Sequence, residues 1–232
     1  MLFEQVRFRS RSVSFAQSIW HKTHVGFDEN VRIGKSTLAR GVGMTVATQK
    51  MTLSEFLAYD DGTDNLYELE NGELINMPFE SEINRRIAGF LFAYFFQIGI
   101  PSYRLRMKTE LAVSGSRVSV RVPDLLVLSE DLAIEMNGAT RSIVLMDMPP
   151  PLLAVEVVSP KQENRDYRYK RTEYAARGIA EYWIVDPLEQ RVTVLEWVEG
   201  LYEEQVYTGG DAIVSTVLGN LELTVDRVLQ GR

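Results

Sequence analysis

Cysteine is absent and histidine nearly so: the 232-residue chain holds no Cys and only His21 and His24, both near its start. Residues 44–232 contain neither. The first absence excludes disulfides, thiol catalysis and thiolate metal sites. The second excludes Ser-His-Asp hydrolysis, His-ligated zinc and His-metal nuclease motifs from the body of the chain. Catalysis there is left to carboxylates, lysine, hydroxyls or an oxygen-ligated metal. The lack of cysteine fits a reducing compartment such as the cytoplasm. Long apolar runs are also missing. The longest, Phe90 to Phe96 with its neighbours, falls well short of the ~20 residues that span a bilayer, so no membrane partner is expected.

What is present describes an ordinary folding chain, 45% hydrophobic and 25% charged, long enough for one large domain or one domain with a tail. The net charge of −7 argues against a polyanionic partner, but its distribution is uneven. Residues 84–121 carry a net +6 and residues 181–232 a net −7. A local basic patch that meets phosphate is therefore permitted, with a solvated charged face as the plain alternative. Residues 1–43 form a basic arm, net +4 on a body of net −11, without sustained periodicity. It reads as a flexible arm, a targeting peptide, or upstream sequence not normally translated with Met44 as the start; the last is our expectation. Gly34-Lys35-Ser36 is no phosphate loop, because that motif needs glycine at position 29, where the chain has glutamate.

The organising stretch is Leu152 to Pro187. Leu152–Val158 is apolar and β-branched except for Glu156, the pattern of a strand buried on both faces. A carboxylate in that position must hold a cation, a metal or a donor network, or else be protonated. Ser159-Pro160 ends the strand. A helix is expected from about Asn164 to a glycine cap at Gly178, with Asp166, Lys170 and Tyr174 on one face. Ala180 to Asp186 then reads as a second strand, parallel to the first by the βαβ rule.

Upstream, Thr52 and Glu55 form a capping box for a short helix to about Tyr59. Asn71-Gly72 turns a hairpin within 66–77, and Ser81 caps a long amphipathic helix to about Ile98. Leu105–Val113 and Val118–Leu128 read as strands, with Pro123 marking an edge or bulge just before Asp124. Residues 130–150 read as a loop or short helix. Downstream, 191–197 and 201–207 pair around Glu199-Gly200, and the chain ends in a short strand and helix. Tyr174 and Trp183 read as core, and Glu68, in the first hairpin, as a candidate support for a site.

Asp124 and Glu156 can meet on adjacent strands, with Lys170 on the helix that follows. Two carboxylates with a lysine and no histidine suit Mg²⁺, which takes hard oxygen ligands and supplies Lewis acidity to a phosphoryl oxygen. The reaction class this fits best is phosphodiester hydrolysis. Each residue also has a plainer role. Asp124 could cap a turn, Glu156 and Lys170 could form a buried structural pair, and Asp166 with Lys170 an i,i+4 surface pair.

Pro123-Asp124 followed by Glu156-Val157-Val158 resembles the PD-(D/E)XK nuclease superfamily. The spaced set EVVSP…D…K…Y…G…EYWIVDP is similar to its Uma-type branch of restriction-endonuclease-like proteins, over about Met44 to Val228. That resemblance implies an α/β, restriction-endonuclease-like core with a mixed central β-sheet flanked by helices, occupying 44–232. It implies Asp124, Glu156 and the backbone carbonyl of Val157 as Mg²⁺ ligands, DNA as substrate and partner, and an endonuclease activity. The lysine expected two residues after the glutamate is replaced by Val158, and Lys170 matches the position from which this branch supplies it. A polar residue near the start of the long helix is also implied; Glu80, Glu82 and Asn84 compete, and Glu82 is our choice as the assisting catalytic residue. A homodimer is compatible with double-strand cutting by analogy alone. Two rivals remain open: a non-catalytic nucleic-acid-binding or interaction module on the same fold, and a hydrolase of small phosphoesters. Deletion of residues 1–43 is expected to leave the melting temperature nearly unchanged, and a large loss would mean that the arm packs on the body.

Overall fold

The structure, a computed structural model, describes residues 50–114, 118–160 and 165–232. The chain divides into Met1–Val46 and Ala47–Arg232, and every described residue belongs to the second unit. The basic arm 1–43 lies outside the described residues.

Local signals place the first elements. Thr52 caps α1 (Leu53–Leu57): its hydroxyl accepts from the Glu55 N–H at 3.2 Å, while the Glu55 carboxylate accepts from the Thr52 N–H at 2.7 Å. The strands β1 (Tyr67–Glu70) and β2 (Glu73–Asn76) pair antiparallel about Asn71-Gly72. Both turn residues have positive φ, 51° and 83°, as a type I′ turn requires. Ser81 then caps α2 (Glu82–Gln97), accepting from the Asn84 N–H.

The next two stretches depart from their sequence pattern. Leu105–Val113 is not one strand. It breaks at Lys108 into β3 (Leu105–Met107) and β4 (Glu110–Ser114), which belong to different sheets. Val118–Leu128 likewise divides into β5 (Val118–Arg121) and β6 (Leu125–Val127), again in different sheets. Because β4 pairs with β5 and β3 with β6, both stretches cross between the sheets at the same level. Pro123 is therefore in a central crossover, not at an edge; its missing N–H suits a point where no ladder continues.

After α3 (Glu130–Glu135) and the short β7 (Ile143–Val144) comes β8 (Leu153–Val157), buried at all five residues. A π-helical turn over Arg165–Lys170 leads into α4 (Arg171–Arg177), which ends at Gly178 with φ 77°. The next strand, β9 (Glu181–Asp186), is parallel to β8. Then β10 (Arg191–Val198) and β11 (Leu201–Thr208) form an antiparallel hairpin. The end is a second hairpin, β12 (Ala212–Ser215) with β13 (Gly219–Thr224), and α5 (Val225–Gln230), one strand more than the pattern suggested.

The result is a mixed six-stranded sheet in the order β11-β10-β9-β8-β6-β3 and a five-stranded sheet in the order β2-β1-β5-β4-β7. The larger sheet carries apolar side chains on both faces. On one, Val155, Val157 and Trp183 pack with Ile87, Leu91 and Phe95 of α2 and with Val228 of α5. On the other, Ala154, Val158 and Ile184 pack with Tyr174 and Ala175 of α4. No helix among the described residues is long and apolar enough to cross a membrane. Leu91 is fully buried at the centre of the α2 stripe, so Leu91→Ala is expected to cost about 2–5 kcal/mol of unfolding free energy in urea denaturation.

Candidate active site

Strand register brings the two carboxylates together. Leu125 pairs with Val155, and one step further places Asp124 opposite Glu156. Alternation along β8 sends Val155 and Val157 toward α2 and Glu156, with Ala154 and Val158, toward α4. There the Tyr174 hydroxyl donates to Glu156 Oε1 at 2.6 Å, and Lys170 Nζ lies 2.8 Å from Oε2. Asp124 Oδ2 accepts from the Val157 N–H at 2.6 Å, while Oδ1 takes a hydrogen bond from the ammonium of Lys108. The side chains open on a cleft that Glu68, Glu80 and Asn84 also line.

The π-helical turn supplies the cation. Asp166 and Lys170, four residues apart, are both buried, and Lys170 Nζ is 3.0 Å from Asp166 Oδ1 and 3.8 Å from Glu68 Oε1. Single π turns recur at functional sites because they re-aim side chains without ending the helix. Asp166, which the sequence left as a plausible surface residue, is thus inside the cluster.

The electrostatics follow from three buried carboxylates, Glu68, Glu156 and Asp166, around one buried ammonium, with a fourth, Asp124, opposite Glu156. Burial pushes the Glu156 carboxyl up to about 8; Lys170 opposes the shift, and the neighbouring Asp166, Asp124 and Glu68 add to it. Burial likewise raises Asp166. For Lys170 burial acts downward, but Asp166, Glu156 and Glu68 outweigh it and hold the ammonium charged. Glu68 behaves oppositely to Glu156. Its burial is outweighed by Lys170, Arg121 and Arg165, and its carboxyl is lowered.

Glu68 reaches this place from β1, and a fully buried arginine anchors it. Arg121 donates to Glu173 through Nε and Nη2 at 2.7 and 2.9 Å, and through Nη1 to Glu70 at 2.9 Å and Glu68 at 3.2 Å. Arg165 also pairs with Glu68 and Glu70.

The structure brings together Asp124, Glu156, Lys170 and the Val157 backbone. It does not bring Glu82, which is exposed and outside the cleft lining. The choice of Glu82 is corrected by helix geometry: residues 82 and 84 lie about 200° apart around the axis. Asn84 shares the buried stripe of Ile87, Ala88 and Leu91, a polar residue at the head of an apolar face, which the sequence could have revealed. Its amide donates to the carbonyls of Val157 at 3.1 Å and Val158 at 3.3 Å, and to Ser159 Oγ at 3.0 Å. Glu80 lines the cleft beside Lys108. Lys108 and Arg121 carried no sequence signal. Asp186 lies outside the cleft lining and caps the turn after β9, accepting from the N–H groups of Leu188 and Glu189.

The donor set suits a hard divalent cation. Among the described residues no three Asp, Glu, His or Cys side chains converge closely enough to hold one by themselves. Two carboxylates, the Val157 carbonyl and water are what remains, in keeping with the waters that Mg²⁺ retains. The raised Glu156 carboxyl marks a place short of positive charge.

A family model described as "Putative restriction endonuclease", Uma2, matches residues 53–226. A solved structure described as a "putative nuclease belonging to DUF820", from Anabaena variabilis ATCC 29413, superposes with a TM-score of 0.63 at 22% identity, covering 78% of this chain and 98% of that one. At that identity the likeness is one of fold. No curated protein matches the chain.

The direction of the Glu156 shift fixes a pH dependence. Folded Glu156 keeps a proton that the unfolded residue, near its ordinary 4.5, has released. Between about pH 5 and 8 the unfolded state binds fewer protons, so stability falls as pH rises, by up to about 1.4 kcal/mol per pH unit. In chelator-treated protein the unfolding free energy of the wild type relative to Glu156→Gln is expected to fall across that window and level off above it. A difference that stays flat in urea melts would mean that Glu156 ionises normally.

Proposed function

The chain belongs to the Uma2 family, whose description is "Putative restriction endonuclease", and from that premise we propose that it is a Mg²⁺-dependent endonuclease that hydrolyses DNA phosphodiester bonds in the cleft of Asp124 and Glu156. The observation that carries the reading is a carboxylate in the middle of a fully buried strand, opposite a second carboxylate and 2.8 Å from a lysine ammonium. A purely structural role would be served as well by apolar residues, since a buried ion pair rarely outweighs its own desolvation.

Asp124, Glu156 and the Val157 carbonyl are the groups that would hold the ion, which when bound supplies Lewis acidity to a phosphoryl oxygen. Asp124 is oriented by the Val157 N–H. Glu156 is held between Lys170 and the Tyr174 hydroxyl, which fix both of its oxygens. Asn84 holds the backbone of Val157 and Val158, and so the position of the carbonyl, from the opposite side of β8. Lys170 keeps positive charge within a set of acidic groups that would otherwise repel both one another and a phosphate.

The test is cleavage of plasmid, linear and single-stranded DNA, with RNA alongside, in Mg²⁺ and in chelator. Asp124→Asn and Glu156→Gln, which keep size and shape, are expected to lose at least about 10³-fold in rate, equivalent to about 4 kcal/mol of barrier. Wild-type cleavage by Glu156→Gln would remove the assignment. Metal-independent DNA retention without cleavage would leave a binding module, and turnover of small phosphoesters alone would leave the third reading.

A further inference from the structure

Among the described residues two lysines line the cleft, and they are in opposite situations. Lys170 is sealed, its side chain 6% exposed, with Nζ at 2.8 Å from Glu156, 3.0 Å from Asp166 and 3.8 Å from Glu68. An ammonium has three N–H donors. Two of these carboxylates are within hydrogen-bonding distance and the third is at ion-pair distance, so Lys170 is enclosed by acidic groups and offers little of its ammonium to a ligand. Arg165, the other cation of the pocket wall among the described residues, is tied to Glu68 and Glu70.

Lys108 is the exception. Its side chain is 25% exposed, and its ammonium pairs with Asp124 and lies 3.2 Å from Glu80. Asp124 is itself one of the two carboxylates of the proposed site, so this ammonium already stands where the chemistry would occur. Two partners leave one of its three donors for a ligand, and the side chain lines the cleft. Its backbone is unusual as well. Lys108 has φ 52°, a left-handed conformation that costs a side-chain-bearing residue energy and that glycine adopts freely. Such strain persists where the surroundings over-determine it, and it clusters at functional sites. Here the crossover of β3 into β4 imposes it, and that crossover lies beside the one containing Asp124.

Resting on the nuclease reading, we propose that Lys108 is the lysine that touches the substrate, donating hydrogen bonds to a non-bridging oxygen of the phosphodiester, while Lys170 is a positioning residue for Glu156. No proton is transferred in this role. The ammonium exchanges a carboxylate partner for the phosphate oxygen on which negative charge grows, the term that fixed donors stabilise most. The residue that replaces the lysine missing at position 158 then comes from the crossover between β3 and β4, not from the helical turn that bears Lys170.

The experiment compares the full chain with Lys108→Met, Lys108→Arg and Lys170→Arg, reading single-turnover cleavage, DNA affinity across a salt series, and melting temperature. Lys108→Met is expected to melt within a few degrees of the wild type, to lose about 10²-fold or more in kcat, and to lower the slope of log affinity against log salt by about one. Lys108→Arg should recover part of both, since the charge and donors return. Cleavage and salt slope unchanged in Lys108→Met would overturn the proposal while leaving the nuclease reading intact. A wild type that cuts no nucleic acid would overturn the nuclease reading. In that case the salt slopes of wild type and Lys108→Met still decide whether Lys108 meets phosphate, and equal slopes would remove it.

Discussion

A single buried ammonium holds the site together. Lys170 faces Glu156 from β8, Asp166 from its own helical turn and Glu68 from β1, so one point charge joins both sheets and the helix between β8 and β9. Removing one partner from a buried ionic group costs about 3–5 kcal/mol, because the remaining charges stay desolvated. That asymmetry makes the cluster all-or-none. Without Lys170 the carboxyls of Glu156 and Asp166, already raised by burial, would be raised further, and Lys170 without its carboxylates would not stay charged. Arg121 extends the same logic outward. It is fully buried, and it can be so because Glu173, Glu70 and Glu68 take its donors. Glu68 is shared by both cations, which couples the anchoring of β5 on α4 to the placement of Lys170.

Strand crossing positions the second half of the site. Two neighbouring strands leave one sheet and enter the other at the same level, through Lys108-Thr109 and through Val122-Pro123-Asp124. At such a crossing the ladder is interrupted, so backbone donors and acceptors need other partners. Part of that demand is met by the site: the Val122 N–H donates to Glu68 Oε1 at 3.2 Å and the Val157 N–H to Asp124 at 2.6 Å. The same gap that aims Asp124 at β8 therefore recruits Glu68 from β1.

Much of this was legible in the sequence, for identifiable reasons. Asp124, Glu156 and Lys170 stood out because each broke a local pattern: an aspartate after proline in a strand, a glutamate in an apolar run, a lysine on the face of Tyr174. The turn at Asn71-Gly72 and the cap at Ser81 announced themselves by residue type. The break at Lys108 did not. Leu105, Met107, Thr109, Leu111 and Val113 alternate without interruption across it, and no glycine marks the left-handed residue. Period-two patterning reports which face a residue takes, not which sheet it joins. Glu82 failed for a different reason. Acidic residues in a first helical turn are favoured by the helix dipole whatever the function, so its chemistry could not distinguish it from Asn84, whereas its angular position could.

The basic segment shows why a charge count is weaker than a charge map. Residues 84–121 sum to +6 in the sequence, which suggests a surface for a polyanion. Arg121 is fully buried against three carboxylates, and Lys108 is paired with Asp124 and Glu80. Arg104 spends its Nε on the Leu128 carbonyl, and Arg117 lies outside the described residues. Arg106 is half-buried, with Nη1 on the Leu105 carbonyl, which leaves Arg85 and Arg86, in the first turns of α2, as the exposed basic residues of the segment among those described. The acidic groups of the cleft meanwhile repel phosphate. On the proposed function, charge delivered at the site itself, by the bound cation and by a lysine that can change partners, then adds to the attraction for DNA. That places part of the affinity and the chemistry on the same few groups, so substitutions in the cleft should weaken binding and turnover together.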